Sequence, residues 1–240
     1  MSTRATAGLR GWLTEVLGPG PEPPVPSAAA LRRRRLVAIG CLLVGSGLLA
    51  ALLRTETGSP WFYPLTLALA VLWTTGAFAS GPLRLGRVAG TPERTGRRPV
   101  VSGLTFGVAL VAVFTAGGLI VREIPWLERQ VGSIAELALA ARGPELVLLV
   151  AVTAINGVAE ELFFRGALFA ALGRDPIIWT TLAYTAATLA TGNVMLGFAA
   201  AFLGVVTGLQ RRASGGVLAP ILTHCTWSLA MLFVLPLLFG

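Results

Sequence analysis

Two adjacent glutamates, Glu160 and Glu161, stand deep inside an apolar stretch that runs from about residue 146 to 172. A carboxylate in a bilayer core costs roughly +2.5 to +3.5 kcal/mol on insertion scales, so two in succession require a reason. On a helix, Glu161 and Arg165 are four apart and share a face, with the glutamate N-terminal to the arginine, the favourable order. Glu160 points about 100° away. The spacing therefore separates two jobs. Glu161 pairs with Arg165, and Glu160 keeps a free carboxyl in a dry place, where it can serve as a general base. The plain structural alternative is an ion-pair network that locks helices together.

His224, the only histidine, lies in another apolar segment, Ala-Pro-Ile-Leu-Thr-His-Cys-Thr-Trp-Ser. Ser228 is four residues on and shares its face. Alone, such a histidine is an interhelical hydrogen-bond partner. Beside a glutamate at a similar membrane depth it becomes a candidate for catalysis. Glu160 sits five residues before Arg165, and His224 sits just inside the start of the last helix, so both fall in the same half of the bilayer and can meet. Asn156, one turn before Glu160, can hydrogen-bond near it. The chain has no HExxH, no GxSxG and no P-loop. Glu160, His224 and Thr188, on three helices far apart in sequence, are expected to converge on one polar cavity opening toward the cytoplasm.

The elements that must position these residues are membrane spans. Of the 240 residues, 55% are hydrophobic and 12% charged, against about 25% charged in a soluble domain. A water-soluble fold of this size could not hide so much apolar surface. The predicted fold class is all-α, a polytopic transmembrane helix bundle of about seven spans plus an interfacial helix. The spans are read at 36–53, 61–78, 100–121, 146–172, 177–190, 194–209 and 217–239. Residues 122–142 mix Glu123, Glu128, Arg129 and Glu136 with Ile124, Trp126, Leu127 and Val131, an amphipathic pattern that predicts a helix lying in the interface. Asp175-Pro176 and Gly192-Asn193 mark breaks. Gly204 and Gly208 form a GxxxG, which favours close helix packing.

The net charge is +8, and all 19 basic residues are arginine. Twelve of them stand beside apolar segments at 32–35, 84–98, 174 and 211–212, as the positive-inside rule places them in cytoplasmic loops. That puts the N-terminus inside and the C-terminus outside a bacterial plasma membrane, and it argues against a nucleic-acid partner. Residues 1–31, with prolines at 19, 21, 23, 24 and 26, read as a disordered cytoplasmic arm rather than a secretory signal. Within it, Leu9 to Leu17 could form a short surface helix. Residues 32–143 then hold the N-terminal helices and the interfacial helix, and 144–240 the core bundle. Cys41 and Cys225 read as buried thiols, since one distant pair gives neither a disulfide framework nor a zinc pattern.

At the chemistry-bearing residues the chain resembles the CPBP family, also called the Abi or CaaX prenyl protease family. Glu160-Glu161-Leu-Phe-Phe-Arg165-Gly166 matches its EExxxR motif. Gly216-Val-Leu-Ala-Pro-Ile-Leu-Thr-His224 is similar to its last motif, a histidine followed four residues later by Asn or Asp. The family's middle motif, Phe-x-x-x-His, corresponds to Tyr184-Thr-Ala-Ala-Thr188. Tyr184 takes the aromatic position, Thr188 stands where the histidine is expected, and Ser228 occupies the Asn or Asp position.

The resemblance implies an intramembrane endopeptidase acting on a hydrophobic or lipidated peptide in membrane lipid. It makes Glu160 the base that activates water and His224 the oxyanion donor or orienter. Glu161 and Arg165 become the brace, with Tyr184, Thr188 and Ser228 as supporting groups. A metal is proposed for some members. Here a divalent metal such as zinc would have only Glu160 and His224, with hydroxyls behind them, short of the usual protein ligand set. Two other classes stay open: a catalytically inactive member that binds hydrophobic or lipidated peptides, and a transporter with Glu160 as proton relay. Transport would be supported by inverted repeats, and none is visible.

Overall fold

A computed structural model describes residues 26–52, 59–88 and 97–240. It is helical, and no strand occurs among the described residues. Eight helices follow in order: α1 Ala28–Leu52, α2 Phe62–Ser80, α3 Val100–Val121, α4 Pro125–Ala140, α5 Pro144–Ala171, α6 Pro176–Leu189, α7 Val194–Ser214 and α8 Leu218–Phe239. Three of them, α4, α5 and α6, begin on proline at their first turn, where the missing N–H costs nothing and φ is already helical. The turn before α7 is capped by Asn193, whose side chain accepts from the backbone N–H of Met195 and Leu196.

Among the described residues six helices are long and apolar enough to cross a membrane: α1, α2, α3, α5, α7 and α8. The chain is an integral membrane protein. Leu36, Leu43, Val101, Val108, Ile120, Val147 and Leu237 all face outward, a surface that only lipid makes tolerable. The expected seventh span is α6, which has 14 residues. At 1.5 Å per residue that is about 21 Å, less than a bilayer core of about 30 Å. It pairs with α7 as a hairpin, so both ends of that hairpin return to the arginine-bearing end. Helix α1 begins at Ala28, eight residues before the expected span, and carries Arg32 to Arg35 in its first turns. The rest of the expected N-terminal arm, with Leu9 to Leu17, lies outside the described residues.

Helix α4 is the expected amphipathic element. It buries Val131, Gly132 and Ala135 and is tied to the α6–α7 turn, where Asn193 donates its side-chain amide to the Gln130 carbonyl at 2.6 Å. Helix α8 is central and packs on α3, α5, α4 and α7. Gly103 and Gly107 of α3 bring the two backbones together, because a Cβ on either would collide with Leu222 or Thr226. Thr223 of α8 then donates to the Gly103 carbonyl at 2.8 Å. The expected GxxxG is used inside the molecule: Gly204 and Gly208 receive Thr181 and Ile177 of α6.

Arg34, Arg35, Arg84, Arg87 and Arg211 gather at one end, where side chains bind backbone across elements. Arg35 donates to Ala171, Arg211 to Arg165 and Arg34 to Pro82. Residues 84–87 run alongside 214–218, with bonds from Val217 to Arg84, Leu218 to Leu85 and Arg87 to Ser214. Just inside this end the core is aromatic: Trp73 stacks on Phe163 at 4.3 Å, and Phe164 packs on both Phe163 and Tyr184.

Candidate active site

Helix α5 carries both glutamates and changes character immediately after them. Residues 162–168 form a π-helical stretch with Arg165 in it; such wide turns within α-helices are frequent at functional sites. Glu161 and Arg165 have no exposed side-chain surface, and Arg165 Nη1 donates to Glu161 Oε1 at 3.1 Å. The expected brace is therefore present, turned into the bundle. It also has a member that spacing did not reveal: His224 Nδ1 lies 3.0 Å from the same Glu161 oxygen. A carboxylate accepting there assigns the Nδ1 proton, so Nε2 of the neutral ring is left as an acceptor. Gly157 makes the approach of α8 to α5 possible, since a Cβ there would stand 3.2 Å from Cys225 Sγ and 3.6 Å from the His224 ring. The thiol of Cys225 turns to the Ala154 carbonyl and takes no part.

Glu160 faces the other way, as the 100° offset requires. Its side chain keeps 22% exposure, against none for Glu161. Its Oε2 accepts from the Tyr184 hydroxyl at 2.6 Å and lies 4.0 Å from His224 Nε2. The pair stands where two chambers meet. The smaller, about 240 Å³, reaches under α6 past Tyr184, Thr188 and Thr191. The larger, about 520 Å³, is mostly apolar and runs along α5, α8 and α3 to α4. Glu160, His224 and Trp227 line both.

Thr188 thus shares a cavity with Glu160 and His224, as expected, but its hydroxyl donates to the Tyr184 carbonyl of its own helix. Ser228 lines the larger chamber and has its hydroxyl on the Cys225 carbonyl at 3.5 Å. Asn156 lines it too, yet its amide donates to Val152 one turn back and makes no bond to Glu160. The direction of the cavity corrects an expectation. Both chambers extend from the pair toward the end that carries α4, away from the arginines, whereas an opening at the arginine end was anticipated. The reason lies in the packing: fully buried Glu161, Phe163, Phe164 and Arg165 fill the space on the arginine side.

Residues 142–230 match the family model described as Type II CAAX prenyl endopeptidase Rce1-like. The match bears out the family resemblance read from the EExxxR and histidine segments, and it covers α5, α6, α7 and the first half of α8. No curated protein and no solved structure matches the chain.

The Rce1-like region can be tested for a metal on its own donor set. Among the described residues no three of His, Cys, Asp and Glu come together. Glu161 is committed to Arg165 and to His224 Nδ1. That leaves one carboxylate and one imidazole nitrogen, fewer than the three protein ligands of a catalytic zinc. The residues present do not fit that ion.

Two features escaped sequence reasoning. The hydroxyl of Tyr184 was visible only as an aromatic substitute, because no spacing rule links α6 to α5. The Glu161–His224 contact had no signal at all, since which of two neighbouring glutamates meets a residue 63 positions on depends on helix rotation.

Proposed function

We propose that the chain is a CAAX-type intramembrane endopeptidase, hydrolysing a peptide bond in a hydrophobic or lipidated substrate, with Glu160 as base and His224 as its partner. The observation that carries this is the 4.0 Å separation of Glu160 Oε2 and His224 Nε2 at the junction of the chambers. It is too long for a direct hydrogen bond and suits one water touching both. Glu160 takes a proton from that water, whose oxygen attacks the peptide carbonyl carbon. The carbonyl oxygen becomes the oxyanion. The His224 ring, its Nδ1–H held by Glu161, orients the water by accepting its second O–H at Nε2. The C–N bond then breaks, and Glu160 passes its proton to the leaving nitrogen.

The larger chamber supports the substrate class. Its wall is apolar along most of its length, so a hydrocarbon chain or hydrophobic side chains can lie there while the peptide bond rests at Glu160. On the positive-inside rule the arginine end is cytoplasmic, in a bacterial plasma membrane. A reporter fused after Arg212 should read cytoplasmic and one after Gly240 external; two reporters on one side would sink the orientation.

The test of activity is cleavage of lipidated and plain hydrophobic reporter peptides by protein in liposomes. Glu160→Gln should lower the rate by roughly 10²–10⁴. Equal rates for wild type and Glu160→Gln would overturn the assignment. A second reading, a non-catalytic holder of hydrophobic peptides, draws on Thr188 and Ser228, whose hydroxyls are both spent on their own helices. It predicts peptide binding with no cleavage in either protein.

A further inference from the structure

We propose that Tyr184 is a positioning residue for Glu160, and that its hydroxyl fills the part that Thr188 cannot. The inference rests on the reading of Glu160 as the base. Tyr184 is 7% exposed, and a buried phenol needs a partner for its O–H. Its partner is Glu160 Oε2 at 2.6 Å, within the range of a short, charge-assisted bond. The ring has little freedom to leave. The Arg165 guanidinium carbon stands 4.8 Å from its centroid, Phe164 4.9 Å and the His224 ring 6.4 Å.

The tyrosine is therefore clamped by the same arginine that holds Glu161, while its hydroxyl fixes the rotation of the neighbouring carboxylate. Both glutamates are in this way referred to one rigid cation. The bond takes one site on Oε2. The remaining site on Oε2 is left for the water between it and His224 Nε2, 4.0 Å away. Thr188 cannot do this, because its hydroxyl is directed to the Tyr184 carbonyl at 2.9 Å. The site has thus moved its third polar group by one helical turn along α6, from position 188 to position 184.

The variants are Tyr184→Phe, which keeps the ring and its packing, and the double change Tyr184→Phe with Thr188→His. A hydrogen bond to a charged group corresponds to a rate factor of roughly ten to a hundred. Tyr184→Phe should lower kcat by that factor with KM unchanged, and the double variant should recover part of it. An infrared difference spectrum against Glu160→Gln identifies the Glu160 carboxyl band, which Tyr184→Phe should shift. Loss of cleavage in Glu160→Gln without loss in Tyr184→Phe would overturn the role of Tyr184 and spare the hydrolytic reading. Wild type without Glu160-dependent cleavage would overturn the hydrolytic reading itself, and the role of Tyr184 in it. The band shift would then decide whether the contact exists.

Discussion

At the arginine end of the bundle, side chains reach across elements to bind backbone, and the space between helices is filled by Trp73, Phe163, Phe164 and Arg165. At the end that carries α4, the same helices stand apart around a chamber of about 520 Å³. Glu161 belongs to the first region and Glu160 borders the second, although they are neighbours in sequence. The contrast shows how a membrane protein can hold one carboxylate fast and still leave room beside its neighbour. Rigidity lies on one side, and open space on the other.

The strongest way to break this comparison is Arg165→Ala. It strips a fully buried carboxylate of its cation and should cost about 3–5 kcal/mol, as for buried pairs elsewhere. Thermal unfolding in mild detergent checks it; melting like wild type would mean that the filled end does not depend on this pair. Next come the two glutamates as a matched set. Glu161→Gln weakens hydrogen bonds to both Arg165 and His224 and should cost roughly 1.5–3 kcal/mol. Glu160→Gln, bordering the chamber, should melt within about 1 kcal/mol of wild type while losing activity. Equal losses of stability would erase the distinction between the two regions.

Legibility in the sequence followed the same division. The spans at the arginine end were plain because run length and arginine placement are properties of single segments. The Glu161–Arg165 pair was plain because i,i+4 geometry is local. The direction of the cavity was not. It depends on where α4 lies across α8, and no single segment encodes that. Helix α6 was read as a span because Ile177 to Ala190 is apolar; its shortness relative to the bilayer becomes significant only when the hairpin with α7 is seen. Tyr184 and Thr188 were located correctly on α6, but the choice of which hydroxyl faces Glu160 was settled by helix rotation.

A smaller effect sharpens the hollow side. Gly117 lines the larger chamber, and a Cβ there meets nothing within 4 Å. Gly117→Phe should therefore leave melting unchanged and occupy the cavity. Affinity for a peptide bearing a long hydrocarbon chain should fall roughly tenfold, with short-chain peptides spared. No change in chain-length preference would mean that the chamber does not take the chain. The smallest effect expected is that of Thr188→His alone. It brings a base and ligand into the smaller chamber and should raise cleavage modestly or confer divalent-metal binding measurable by calorimetry. Neither result would show that position 188 no longer addresses the site.

The wide turn at 162–168 deserves to be seen as a phase slip. A regular α-helix fixes the azimuth of every residue once one is placed, so the glutamates and the segment that meets α1 and α7 would be locked to a common orientation. The π-helical hydrogen bonds insert an offset between them. The part of α5 before the slip is aimed by α8 and the chamber; the part after it is aimed by the arginine end. Each can be tuned by substitution without rotating the other. Removal of one residue inside the slip would let the helix close to regular turns with both flanks near their present azimuths, whereas removal of one outside it would swing everything beyond by about 100°; the slip is where this helix best absorbs a change in length.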